Sequence, residues 1–325
     1  MREFIIQKND AGQRADKFLQ KACPALPKSA MYKYIRKKSI KCNGKRMEIS
    51  QKLCEGDVIT LYINDEFFVK AEDNKSYEAA SDKLDVIYED EHIMLVDKPV
   101  GLVVHEDESG TPDTLINRVL RYLIKKGEYD PDAELSFTPS LCNRIDRNTQ
   151  GIVICAKTAE ALRIMDQKIR DRELSKKYLC ITVGIPSKKT DTLKAYHFKD
   201  ERTKTAKVSD KPIDGYKTMI TKYRVLAEDK ERGLALCEAD LITGRTHQIR
   251  AHMAHIGCPL LGDGKYGINT VNRAYNIKTQ ALCSYKLTFS FTSDSGSLSY
   301  LDKKTFSVKD IWFTKEFFPN VKISK

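Results

Sequence analysis

"NRIDRNTQGIVICA", residues 143–156, sets a charged loop directly before an apolar run. Ile152, Val153 and Ile154 read as a short strand buried in a sheet. At its mouth Asp146 stands between Arg144 and Arg147. An exposed carboxylate–guanidinium pair contributes only about 0–1 kcal/mol, so stability gives little reason to build one. The alternative is that the arginines serve an ionised aspartate, or a polyanion brought to it.

Outward from this strand, similar runs recur at 84–90, 92–99, 177–184, 234–242 and 284–291, and helical spacing at 112–126, 158–171 and 246–255. The order is irregular rather than a steady strand–helix alternation, which predicts a mixed α+β sheet. The 325 residues are 41% hydrophobic and 31% charged, enough for two cores, and the net charge of +11 points to a polyanionic partner. The excess is local, since residues 1–63 carry 14 Lys/Arg against 6 Asp/Glu. Nine scattered cysteines with no Cys-x-x-Cys read as reduced, buried thiols. With no signal-peptide core and no apolar run near the ~20 residues of a membrane helix, a cytoplasmic protein without membrane attachment is expected.

Residues 14–62 read as a compact unit. Ala15, Phe18, Leu19 and Ala22 share one helical face. Ser29 is the expected cap of a second helix over 30–40, with Met31, Tyr34 and Ile35 apolar and Lys33, Arg36, Lys37 and Lys38 basic. Asn43-Gly44, followed by Lys45 and Arg46, is a strong hairpin signal, and 55–63 supplies a turn and a strand. Residues 64–83 turn acidic, with 6 Asp/Glu and 3 Lys/Arg, and read as a linker to a large domain over 84–325.

The large domain gathers polar residues in three places: Lys98-Pro99-Val100-Gly101 with His105, the loop around Asp146, and residues 243–267, "TGRTHQIRAHMAHIGCPLLGDGKYG". Together with Tyr178 after Lys176-Lys177, these stretches resemble, in order, the RluA family of RNA pseudouridine synthases. The helix, basic helix and hairpin at 1–63 resemble the small S-four (alpha-L) RNA-binding module. The resemblance implies a mainly antiparallel catalytic domain of the pseudouridine synthase type behind a small α/β RNA-binding module. It also implies isomerisation of uridine in structured RNA, with ribosomal RNA favoured and transfer RNA the alternative, by a monomer without a cofactor.

By the same resemblance Asp146 is the carboxylate that meets the ribose. Arg250 keeps it ionised, and Tyr178 stacks on the flipped uracil and assists at C5. An apposed arginine typically lowers a carboxylate pKa by ~1–3 units, against the upward push of burial. Arg144, Arg147, Lys176, Arg245 and His247 are the implied RNA contacts of the cleft, and Lys33, Arg36, Lys37, Lys38, Lys45 and Arg46 those of the module. Three loop residues depart from the family pattern: Asn143 for His, Asn148 for Asp and Gln150 for Ser. They put the loop's hydrogen bonding in question, not the reaction class.

His247, His252 and His255 do not make a zinc motif, because 247 lies off the face shared by the other two and no cysteine pair assists. The glycines at 257–267 lack the Lys-Ser/Thr of a phosphate loop. Cys142 has no histidine placed to activate it. Two rival functions remain open: a non-catalytic RNA-binding or ribosome-assembly protein, and a glycosidase-like hydrolase, which would need a second carboxylate.

Overall fold

The computed structural model describes residues 1–68, 75–108 and 110–323. β1 (Arg2–Ile5), α1 (Ala15–Ala22), α2 (Lys28–Arg36), β2 (Ile40–Cys42), β3 (Lys45–Arg46) and β4 (Val58–Leu61) form an N-terminal unit with an antiparallel sheet ordered β1-β4-β2-β3. Phe18, Leu19, Met31, Ile35, Ile59 and Leu61 lie in its single apolar core. Asn43 and Gly44 both take positive φ, 53° and 71°, between the paired Cys42 and Lys45. That is the two-residue primed turn whose twist suits a hairpin.

Three expectations for this unit change. Pro27, not Ser29, caps α2; its φ of −60° is already set for helix entry, so the helix starts earlier. The helix stops at Arg36, because Lys38 turns left-handed and Ile40 is taken into β2. β1 was not foreseen; it pairs with β4 and closes the sheet. Of the expected linker, residues 69–74 lie outside the described residues. Within the rest of it, Asp65–Phe68 forms a single 3₁₀ turn that packs Phe67 and Phe68 on the N-terminal core, and α3 (Ser76–Ala79) follows. The unit also leans on the rest of the chain: Leu135 packs against its core, and Asn9 Nδ2 donates to Glu134 Oε1 at 2.7 Å.

The remaining elements are β5 (Val86–Glu89), β6 (Ile93–Lys98), α4 (Leu115–Lys126), β7 (Ser140–Leu141), β8 (Gln150–Ala156), α5 (Ala159–Arg170), β9 (Leu174–Val183), β10 (Thr190–Asp200), β11 (Thr205–Ser209), β12 (Lys217–Asp229), β13 (Leu234–Leu241), α6 (Gln248–His255), α7 (Asn269–Ala274), β14 (Leu282–Phe289), β15 (Thr305–Ser307) and α8 (Trp312–Phe317). One sheet runs β11-β10-β12-β13-β9-β14-β8-β6-β5, with β15 on β14 and β7 on β8. Its pairs are antiparallel except β14–β8, so the fold is mixed α+β with a mainly antiparallel sheet. The parallel pair is close: Gly151 has φ +126°, and a Cβ there would lie 2.3 Å from the Ser284 carbonyl oxygen. Glycine is therefore required where the loop of Asp146 enters β8.

The six strand runs read from the sequence lie on β5, β6, β8, β9, β13 and β14, and the three helical patterns on α4, α5 and α6. β10, β11 and β12 were not foreseen. They alternate exposed Lys194, Phe198, Lys222 and Arg224 with buried Ala195, His197, Thr221 and Tyr223, a pattern too polar for an apolar count. The buried face of this half-sheet receives α6: the Thr221 Oγ1 and His252 Nδ1 atoms are 2.8 Å apart, and Gln248 Nε2 donates to Thr221 Oγ1 at 2.9 Å. These bonds fix the helix that carries Arg250. Among the described residues no helix is long and apolar enough to cross a membrane.

Candidate active site

The Asp146 loop is held from below by a lysine. Lys98, at the end of β6, is fully buried, and its ammonium donates to the carbonyls of Pro99 (2.8 Å), Leu102 (2.8 Å) and Arg147 (2.9 Å). Burial pulls its pKa down to about 7, with Asp146 opposing the fall. Arg147 turns its Nε to the Gly101 carbonyl (3.1 Å), so loop and Lys-Pro-x-Gly turn brace each other. The three departures in the loop also find places. Asn143 Oδ1 accepts from the Ile154 amide at 2.8 Å, and Gln150 Nε2 donates to Asp97 Oδ2 (3.1 Å) and the Asp310 carbonyl (2.8 Å). Asn148 is half-buried in the turn.

Asp146 and Arg250, 104 positions apart, meet: Arg250 Nη1 donates to Asp146 Oδ2 at 2.8 Å. Arg250 is 5% exposed, and its other edge forks onto fully buried Asp263, with Nε to Oδ2 at 2.7 Å and Nη2 to Oδ1 at 2.9 Å. Burial works against the Arg250 charge, but Asp263 first and then Asp146 more than offset it, and its pKa lies above the ordinary value. A bidentate clamp fixes the plane of the guanidinium, so its third nitrogen points at Asp146. Asp146 itself keeps 28% of its side chain exposed. It is held on one side and open on the other.

His247 sits 3.8 Å from Asp146 Oδ2 through Nε2, while its Nδ1 is 2.9 Å from the Tyr266 hydroxyl. That hydroxyl also accepts from the Ala206 amide. Burial holds the His247 pKa down to about 4, so the ring is neutral at pH 7. The Tyr266 ring also lies 5.3 Å from the Arg250 guanidinium carbon. Tyr178 on β9 is 7% exposed, with its phenol pushed up to about 12 by burial.

All eight large-domain residues named from the sequence line one cavity of about 730 Å³. The six basic residues of the N-terminal unit are exposed on that unit's surface and do not line it. The three histidines part company, with His252 bonded to Thr221 and His255 to Asp210. Among the described residues no group of three or more His, Cys, Asp or Glu side chains is placed to hold a metal ion. Cys142 lies at the wall with its thiol pushed up to about 12 by burial, unsuited to a nucleophile. Sequence reasoning did not single out Asp263, Tyr266 or Lys98 as parts of the site. The signal for the first two was present in "GDGKYG", whose carboxylate and phenol follow Arg250 at a helix-plus-turn distance.

A solvent-facing carboxylate backed by a doubly bound arginine, in a cleft lined by several cations, is an arrangement suited to chemistry on an anionic polymer. The sequence model of the RNA pseudouridylate synthases matches residues 92–255, which span the Asp146 loop, Tyr178 and Arg250. The chain is 33% identical over 289 residues to an uncharacterized RNA pseudouridine synthase of Mycoplasma genitalium, covering 88% of each. It is 31% identical to the ribosomal large subunit pseudouridine synthase D of Haemophilus influenzae (81% of this chain, 75% of that one). It is 32% identical to the ribosomal large subunit pseudouridine synthase C of Vibrio vulnificus (81% and 79%). In fold it is similar to human RNA pseudouridylate synthase domain containing 4, with a TM-score of 0.54 at 21% identity over 70% of this chain and 89% of that one. The chain belongs to the RNA pseudouridylate synthase family, and its activity is that of an RNA pseudouridine synthase.

Proposed function

We propose that the substrate is large-subunit ribosomal RNA and that Asp146 attacks the ribose of a uridine flipped into the cleft. The relatives named synthase C and D support the RNA class. The observation that carries the chemistry is the 2.8 Å bond from Arg250 to a carboxylate that remains open to the cavity. The isomerisation breaks the C1′–N1 bond, turns the uracil and forms C1′–C5. C5 loses a proton and N1 gains one, so the base keeps all its other atoms and no electrons are exchanged.

In this reading Arg250 holds and aims the Asp146 carboxylate, while the neutral imidazole of His247 faces the same oxygen through Nε2 without adding charge. Tyr178 lies under the uracil and assists at C5. Arg144, Arg147, Lys176 and Arg245 meet the RNA around the flipped nucleotide, whose extrusion costs a few kcal/mol that such contacts offset. Residues 1–63 act as an S-four-like RNA-binding domain through Lys33, Arg36, Lys37, Lys38, Lys45 and Arg46, joined by residues 64–83 to a catalytic domain over 84–325. The enzyme works as a cytoplasmic monomer without a cofactor.

The test is to incubate the protein with unmodified large-subunit ribosomal RNA and with transfer RNA, then map pseudouridines by carbodiimide-dependent primer stops. New stops at one or a few positions of the large-subunit RNA are expected. Stops confined to transfer RNA would reassign the substrate. Binding without any modification would leave an RNA-binding protein, and free uracil would mark a hydrolase.

A further inference from the structure

Five helices close with the same doubly hydrogen-bonded cap, in which one residue just past the helix turns left-handed. In α4, Gly127 donates to the Ile124 carbonyl and Glu128 to that of Leu123. α6 closes in the same way at Gly257 and α7 at Asn276. These are the residues that tolerate positive φ. The other two depart. α2 closes at Lys38, φ 59°, and α5 at Arg172, φ 61°, with Arg172 donating to the Ile169 carbonyl and Glu173 to that of Lys168. Where glycine would relax the turn, the chain carries a long cation.

Both places face the surfaces read as RNA-binding. Lys38 follows the basic helix α2, and Arg172 lines the catalytic cavity at its rim together with Arg170, Lys176 and Arg144. The two acidic neighbours of Arg172 are engaged elsewhere. Glu173 is turned inward onto Lys168, Thr292 and Ser293, and Asp171 receives the Gln167 amide. Among the described residues the Arg172 guanidinium enters no ion pair or hydrogen bond, and it is exposed. A strained backbone kept beside a reaction centre calls for a functional reason, and a bare guanidinium is the group suited to a phosphate.

We propose that Arg172 is a phosphate clamp, holding the backbone of a nucleotide next to the target uridine at the mouth of the cleft. This rests on the proposed action on RNA. Asp146 and Tyr178 lie deeper and take the reacting nucleoside, whereas the exposed Arg172 meets the chain where it enters.

Arg172→Gly removes the guanidinium and relaxes the turn, so function and stability should move in opposite directions. The melting temperature should rise, KM should rise about tenfold with kcat within twofold, and the slope of log K against log salt should shrink by about 0.7–0.9. Arg172→Lys keeps the charge and the strain, and should restore part of the affinity at the wild-type melting temperature. The clamp is overturned if Arg172→Gly raises the melting temperature but leaves KM and the salt slope unchanged, or if stability and activity fall together. Direct titration of fluorescent ribosomal RNA fragments reads the slope without turnover. A wild type that binds but never isomerises would defeat the proposed reaction, not the clamp.

Discussion

The buried cations at the base of the catalytic cleft and the cations of the N-terminal unit are arranged in opposite ways. In the cleft, Arg250 is buried, forked onto Asp263 and bonded to Asp146, and Lys98 is buried under three carbonyls. In the N-terminal unit, Lys33, Arg36, Lys37, Lys38, Lys45 and Arg46 are all exposed, and among the described residues none of them forms an ion pair. Buried, paired charge is rigid, insensitive to salt and expensive to disturb. Exposed charge without a carboxylate partner contributes little to folding and is free to exchange counter-ions for phosphates. Under the proposed function, the buried charge aims a reacting group and the exposed charge gathers the substrate.

Arg250→Met breaks this contrast most severely. It leaves Asp263 buried and unpaired, so unfolding free energy should fall by about 3–5 kcal/mol in urea titrations, and turnover should vanish with it. Tyr178→Phe sharpens the cleft side: a group acting only in the reaction should lower kcat by about 100-fold, with RNA affinity by titration unchanged. On the other side, replacing Lys33, Arg36, Lys37 and Lys45 together by Gln should raise KM about tenfold with kcat and melting temperature unchanged. The salt slope should fall by about 0.7–0.9 for each phosphate that is no longer neutralised. Loss of kcat there would erase the distinction between the two regions.

A further effect concerns pH. Burial lowers both His247 and His252 to about 4, against an ordinary value of 6.5. From pH 6.5 down to 4 the unfolded chain therefore binds protons that the folded chain refuses. Their contribution to stability is fully present above pH 6.5 and is lost as pH falls, by up to about 1.4 kcal/mol per pH unit for each histidine. Urea midpoints measured between pH 7 and 5 should fall, and His252→Gln should flatten the decline. An unchanged decline would place the responsible groups elsewhere.

Much of this was legible in the sequence because it depends on short spacings. The strand after Asp146, the Asn43-Gly44 turn and the polar stretch ending in Arg250 each carry their signal within a few residues. Asp263 was not recognised as part of the site because its role is set by where α6 and the next turn place it, buried against the far edge of the same guanidinium. β10 to β12 escaped notice because one face is wet and the other packs polar side chains on α6, so no apolar alternation marks them. Ser29 failed as a cap because Pro27 had already fixed the entry angle. Long-range pairing and polar packing are what a local pattern leaves out.

The role of Asp146 is tested most directly by tritium release from RNA carrying 5-tritiated uridine, using wild type and Asp146→Asn at equal concentration and matched melting temperature. The wild type should release tritium in step with pseudouridine formed, and Asp146→Asn should be slower by at least about a thousandfold. Undiminished release by a folded Asp146→Asn would contradict the assignment of the reaction to that carboxylate.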